Sequence, residues 1–462
     1  MTNKFISRIA AMSLLVCQLS LFSCNSQNSP NLPEKKLRAL MNDVAQTPSF
    51  VLPDSGYVPS AGVKYPEIRA VDPLAPPVVI DIAGNLNNKK AFKLSDIASS
   101  VRYIFLEQPP DVKYTSIYDM VSDDEHIFIN TLRGLFCYSA DGRYLYTIVK
   151  NQVEEPSMDL PRLVKGAIWG KIDFLNGKLI TRIIDWPTIR EGVREIRLNV
   201  FDVKDMDAQM LFNIRPDEVN RAYVKPQYER HLDPKNSGGG SSQYLWMDEQ
   251  SYLINNVLAN ISISGDTLCK FENYAKPERI NVWASSDIYR IHGQIMMRQG
   301  YNDTVFRVIP PNRLAPAYVM NWGEYKPDVK EHAAGSTLEG KLVFGNWVET
   351  PRFIFLRYTE GRDFPHRREE GKVRDYWAIF DKNAKTLTHY ATSDRGGLIE
   401  NDIDPVGMPF RPRGLNHKNE MYMTFSKTQI LELMNADKSL YDKLKAIYDH
   451  IPDGGMGIMI VK

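Results

Sequence analysis

The stretch NDIDPVGMPFRPR sets Asn401, Asp402 and Asp404 within four residues, with Arg411 and Arg413 close behind. Oxygen donors so spaced could ligate calcium, which takes about six to eight of them. The alternating acidic order of a calcium loop is missing, however. Asn and Asp also bend the chain by bonding their own backbone, so turn formation is the expected role. GYNDTVF invites the same reading: Asn302 and Asp303 shape a turn, and Thr304 opens the next strand. No metal or other cofactor is implied by either stretch.

Other chemistries are excluded more sharply. GSTLEGKL (335–342) comes near a P-loop, but Leu342 stands where a magnesium-binding hydroxyl is needed and a strand-like run follows where a helix should. The eight histidines are scattered, with neither HxH nor HExxH, and no G-x-S-x-G elbow occurs. A carboxylate pair assembled from separate strands for glycoside cleavage would leave no local signature. Seven tryptophans, Trp377 among them, could offer platforms to a sugar or peptide, although rings of this size more often pack between sheets. Asp266-Thr267-Leu268 and Asp303-Thr304-Val305 resemble Asp-Thr-aliphatic acceptors of protein O-glycosylation. Cys137 and Cys269 lie in strand-like runs far apart in sequence; buried free thiols are the expectation, with a disulfide between them in an oxidising compartment the alternative.

The elements that must position these residues are strands. The chain of 462 residues is 43% hydrophobic and 24% charged, enough for a sizeable core. With 57 basic against 56 acidic residues, it has no concentrated basic face to attract nucleic acid. The cluster HRREEGKVR (366–374) carries its own glutamates and reads as a solvated loop. From Val78 onward, short runs of Val, Ile, Tyr, Phe and Thr alternate with turn residues. SIYDMVSDDEHIFINTLRGLFCYSADGRYLYTIVK predicts strands over 117–121, 126–130, 134–138 and 144–149, turning at Asp141-Gly142. Four antiparallel strands in that length make one propeller blade.

Further units follow, one turning at Asn176-Gly177 and another at Gly265-Asp266, with insertions at 215–242 and 359–375. The expectation is an all-β fold, a six-bladed β-propeller over 78–462. VVIDI and VRYIFLE from the start would join EMYMTF near the end in one blade, closing the ring. Ser426 with Gln429 forms a capping box, predicting helices over about 426–450 before a final strand in GIMIVK.

The N-terminus differs. Lys4 and Arg8 precede an apolar run, 9–22, too short to span a bilayer as a helix. Leu21-Phe22-Ser23-Cys24 resembles a lipobox, with Phe22 in place of a small residue. A signal peptide over 1–23 and lipidation of Cys24 are expected, with 24–77 as a tether holding one short helix at 33–46. Several acyl chains hold a protein durably to the bilayer, where one does not.

FKLSDIASSVRYIFLEQ, MRQGYNDTVFRV, LAPAYVMNWGEYK and NDIDPVGMPF, with the C-terminal helix and GIMIVK, resemble a family of Bacteroidetes lipoproteins. These are six-bladed, TolB-like β-propellers of uncharacterised function. This chain has Pro405-Val406-Gly407 where that family often has Gly-Gly after NDID. The resemblance implies fold and compartment and transfers no catalytic residue.

The expected role is that of a binding module at the cell envelope. Its partners would be the bilayer, through acylated Cys24, and a glycan or an envelope protein. The alternatives are a glycan hydrolase or lyase and a structural subunit of an outer-membrane complex. No acidic cluster follows Cys24, which favours the periplasmic side of the outer membrane over the cell surface.

Overall fold

The computed structural model describes residues 76–150 and 286–462 with short gaps, strand segments between 152 and 284, and residues 50–51. The leader, Cys24 and the expected helix at 33–46 lie outside the described residues, as do the turn at Gly265-Asp266 and the 215–242 insertion.

The first sheet contains Asp119–Ser122, His126–Thr131, Gly134–Ser139 and Tyr144–Lys150, paired antiparallel in chain order. Gly142 turns the last hairpin at φ 94°, and a Cβ there would sit 2.4 Å from the Phe105 carbonyl oxygen, so only glycine fits. In the second sheet Asn176 (φ 50°) and Gly177 (φ 84°) supply the two left-handed residues of a tight hairpin. The third sheet is Tyr244–Asp248, Ser251–Ile254, Ala259–Ser262 and Thr267–Lys270. The fifth is Leu342–Glu349, Phe353–Glu360, Arg374–Asp381 and Thr386–His389. The sixth joins Gly414–Leu415, Met421–Ser426 and Met456–Val461 to the early strand Val101–Phe105, which pairs antiparallel with Met456–Val461.

The expected six blades are not all present: among the described residues four sheets are complete blades. The first, third, fifth and sixth sheets are complete four-strand antiparallel blades. In the second, Ala167–Ile168 and Asp173–Leu175 share one edge of Lys178–Ile184 while Ile196–Asp202 takes the other, so the sheet is three strands across. The fourth, built on Asp287–Ile291, Gln294–Arg298, Thr304–Ile309 and Arg313–Asn321, grows to six strands. Val78–Asp81 adds to Arg313–Asn321 in parallel, and Phe50–Val51 adds antiparallel to the same strand. VVID thus joins the fourth sheet and does not share a blade with VRYIF.

Strand periodicity explains the packing. Alternate side chains of a strand face opposite sides of the sheet, so each sheet contributes to two cores. Ile127 and Ile129 face Ile458 and Ile460 of the sixth sheet, whereas Phe128 packs with Ile172 and Leu179 of the second. Val305, Tyr318 and Met320 meet Ile354, Tyr358 and Phe380 between the fourth and fifth sheets. Leu245, Leu253 and Phe271 meet Ile288 and Phe306 between the third and fourth. Consecutive sheets packed in this way make an all-β, propeller-like body with few helices.

Two helices follow Met421–Ser426. Ser426 Oγ accepts from the Gln429 amide (3.1 Å) and Gln429 Oε1 accepts from the Ser426 amide (2.9 Å), starting the helix Lys427–Ala436. Lys438–His450 buries Leu440, Leu444 and Ile447, one stripe at helical spacing, against the core of the fifth and sixth sheets. Among the described residues no helix is long and apolar enough to cross a membrane.

Candidate functional site

First-to-second-strand hairpins of three sheets meet at one end of the body. The His292 amide donates to Asn419 Oδ1 (3.2 Å), and the His417 ring bonds Ser122 Oγ (2.9 Å) and Asp124 (3.1 Å). Deeper in, Arg290 of the fourth sheet reaches Asp173 of the second at 3.1 Å, joining first strands of sheets that are not neighbours in sequence. The first strands therefore converge on the axis. Beside this pair, Asp119 Oδ2 accepts from the Ile172 amide at 2.8 Å. Burial pushes the Asp119 carboxyl up to about 6, with the Asp173 charge adding to the shift; Lys171 and the amides of Ile172 and Met120 oppose it. Two carboxylates at the axis thus have environments that differ, one raised by burial and one held by a guanidinium.

The described second-to-third-strand connection of the fifth sheet, 361–373 with short gaps, lies at the opposite end from its first hairpin. This connection carries a charge lattice. Arg357 donates to Asp375 (2.9 Å) and Asp363 (3.3 Å); Arg368 donates to Asp375 (2.7 Å) and Asp363 (2.6 Å). Burial alone would raise the Asp375 carboxyl, but Arg368 and Arg357 outweigh it and hold it below the usual range. Arg362 donates to the Ser336 carbonyl (3.0 Å) and Arg367 to the Thr337 carbonyl (2.6 Å), pinning the neighbouring loop 335–341. Within HRREEGKVR, His366, Lys372 and Arg374 are exposed as a solvated loop would be, but Arg367, 4% exposed, and Arg368 are built into a rim.

Trp377 stands beneath this rim. The guanidiniums of Arg357 and Arg411 lie 5.5 and 5.2 Å from its ring, and a Cβ on Gly397 would meet the indole at 2.2 Å. At 8% exposure it is a packed ring that braces the rim. Between the fourth and fifth sheets, Glu349 accepts from Tyr289 (2.7 Å), Tyr318 (2.7 Å) and Lys382 (3.0 Å).

Of the other expected residues, only Asn401 and Asp404 are shown in contact. Asn302 Oδ1 accepts from the Thr304 amide (2.9 Å), a turn bond, while Asp303 accepts from Trp322 Nε1 (3.0 Å) and pairs with Lys326. Asp402 accepts from the Ser95 amide and hydroxyl (3.0 and 2.7 Å). Asp404 accepts from the amides of Val406 and Gly407 and from Tyr103 Oη (3.0 Å), and Asn401 donates to Asp404 (2.9 Å). The side-chain oxygens of Asp402 and Asp404 thus accept from different donors, Ser95 for the first and Tyr103, Asn401, Val406 and Gly407 for the second. Cys137 and Cys269 are buried free thiols. Sequence reasoning missed Asp119, Asp173, Arg290 and the rim. The signal available was a charge inside each strand-like run, as in SIYDMVS, KIDFLN and DIYRIHG.

Among solved structures, the chain resembles a protein of Bacteroides fragilis NCTC 9343, provisionally described as exported. They share 12% identity, with 83% of this chain and 99% of that one covered at a TM-score of 0.53. A protein of unknown function from Bacteroides caccae matches at 11% identity over 64% of this chain and 96% of that one, TM-score 0.31. The N-terminal domain of Nup159 matches at 8% over 73% and 76%, TM-score 0.34. Only the first carries an argument, and it shows fold alone. No curated protein matches. A family model described as a domain of unknown function, DUF4933, matches residues 60–436, most of the chain, and the chain belongs to that family.

Proposed function

We propose that this protein is an envelope-anchored lipoprotein whose propeller body binds a glycan or an envelope protein through the end that carries the rim. In this reading 1–23 is a signal peptide, Cys24 carries the acyl anchor, 24–77 is tether and 78–462 is the body. The body is a six-membered, TolB-like ring facing the periplasm. Among the described residues, six larger sheets, four of them complete blades, support the ring, beside a two-stranded ribbon of Gln152–Glu154 and Arg162–Lys165. The Bacteroides fragilis relative, provisionally described as exported, is in keeping with the compartment. The observation that carries the binding reading is the lattice of Arg357, Arg368, Asp363 and Asp375. Four charged side chains lock one connection rigidly, and a rigid rim gives a partner a surface with little ordering cost. A screen of the mature protein against purified envelope glycans and outer-membrane complexes tests this, and absence of any saturable interaction refutes it. Labelled palmitate entering wild type but not Cys24→Ser tests the anchor.

One observation favours a second reading, a hydrolase acting on glycans: the raised carboxyl of Asp119 beside Asp173, which Arg290 holds, is the division seen in acid–base pairs. New reducing ends from polysaccharide pools, abolished in Asp119→Asn and Asp173→Asn alike, would support it. Activity surviving both changes would end it.

A further inference from the structure

Residues 78–105 run along three sheets in turn. After pairing with the fourth sheet as Val78–Asp81, the chain turns through the short helix Ile82–Asn85 and crosses the outer strand of the fifth. There the Lys90 amide donates to the His389 carbonyl (2.9 Å), the His389 amide to the Asn88 carbonyl (2.8 Å), and Asn88 Nδ2 to the Leu387 carbonyl (2.7 Å). The Leu94 amide then bonds the Glu400 carbonyl (2.8 Å), and Val101–Phe105 enters the sixth sheet. Residues 87–90 are exposed, so backbone bonds more than buried apolar contacts hold this strap at its middle. Such a segment opens locally before the sheets do.

The residue under the strap is titratable. His389 is 3% exposed. Its Nε2 bonds Tyr358 Oη, and its ring stands edge-on to Tyr358 (5.7 Å, 88°) and Tyr376 (6.0 Å, 77°). Nδ1 makes no hydrogen bond. The groups facing it are Tyr358 and Tyr376 from the sheet, with Glu360 bonded to Tyr376 and Arg374 beside Glu360, and Lys89 from the strap. Burial disfavours the imidazolium most. The backbone of Asn88 and Asn85 favours it, and Lys89 opposes it.

We propose that His389 makes this strap an acid-released latch: protonation of the imidazole opens residues 85–93 from the fifth sheet. The charged ring would be buried at 3% exposure between Tyr358 and Tyr376 with Lys89 close by, a cost that the backbone of Asn88 and Asn85 offsets only in part. Opening the strap brings water to Nδ1 and removes Lys89. The latch goes beyond the binding reading and does not depend on it.

Hydrogen exchange of the full-length protein at pH 7.5 to 5.0, corrected for intrinsic rates, tests this. A single proton with an open-state pKa near 6.5 raises strap opening by up to about 30-fold across that range. Amides of Phe353–Glu360 should stay protected meanwhile. His389→Gln should flatten the rise to within about 2-fold, and Asn88→Ala should raise opening at every pH while keeping the slope. A flat wild-type profile, an unchanged slope in His389→Gln, or strap and sheet opening together each overturns the latch. A His389 ring resonance that titrates outside the pH range of strap opening does so without any variant.

Discussion

Replacing Asp119 by Asn should make the protein more stable at neutral pH, although the change removes a hydrogen-bonded carboxylate. The carboxyl is half-buried at the axis, and its affinity for a proton is raised from 3.8 to about 6. About two pH units correspond to about 3 kcal/mol at 1.36 per unit; partial exposure brings the expectation to about 1–2. The sign follows from linkage. The folded state holds this proton more tightly than the unfolded chain, so stability falls as pH rises from about 4 to 6 and stays low above that. Asn never ionises, and its Oδ1 can still accept the Ile172 amide that bonds Asp119 now. Urea midpoints at pH 7.5 and 3.5 provide the assay: the variant should gain at the first and match wild type at the second. A loss at pH 7.5, or an equal difference at both, would refute the reasoning.

Other consequences can be measured in the same way. Glu349→Ala strands two tyrosine hydroxyls and Lys382 between two sheets and should cost about 3–5 kcal/mol in denaturant melts, with Glu349→Gln costing distinctly less. Burial, with Arg362 and Arg298 adding, lowers His332 to about 4. Wild type should therefore lose up to about 2 kcal/mol as pH falls from 6.5 to 4, and His332→Gln should not. Gly397→Ala drives a Cβ into Trp377 at a φ of 73°; a loss of about 1–3 kcal/mol is expected, and an unchanged melting temperature would contradict that packing. Asn260, fully buried with neither side-chain polar atom bonded, should give a more stable protein as Asn260→Val, by about 1–3 kcal/mol.

Local signals were legible in the sequence. Asn176-Gly177, Asp141-Gly142 and the Ser426–Gln429 capping box each act through a few neighbouring residues, and their turns and helix lie where the pattern puts them. The four strands of the first sheet fall within two residues of the predicted bounds. Long-range placement was not legible. Val78–Asp81 reads as any short apolar strand, and nothing local says that it pairs in parallel with residues of Arg313–Asn321 that lie 240 positions away. The rim escaped for a related reason. HRREEGKVR resembles a solvated run until Asp363 and Asp375 are brought beside Arg368, with which they pair while Arg374 stays exposed. Asp119 and Asp173 carry no motif because separate sheets bring them together.

The binding reading stands or falls on the rim. Calorimetric titration of the mature acylated protein with each envelope glycan and complex in turn is its most direct test, run beside Arg368→Ala, which breaks the lattice at its centre. Wild type should bind saturably, and the variant should bind at least about tenfold more weakly. Equal affinities, or no saturable binding by wild type, would contradict it.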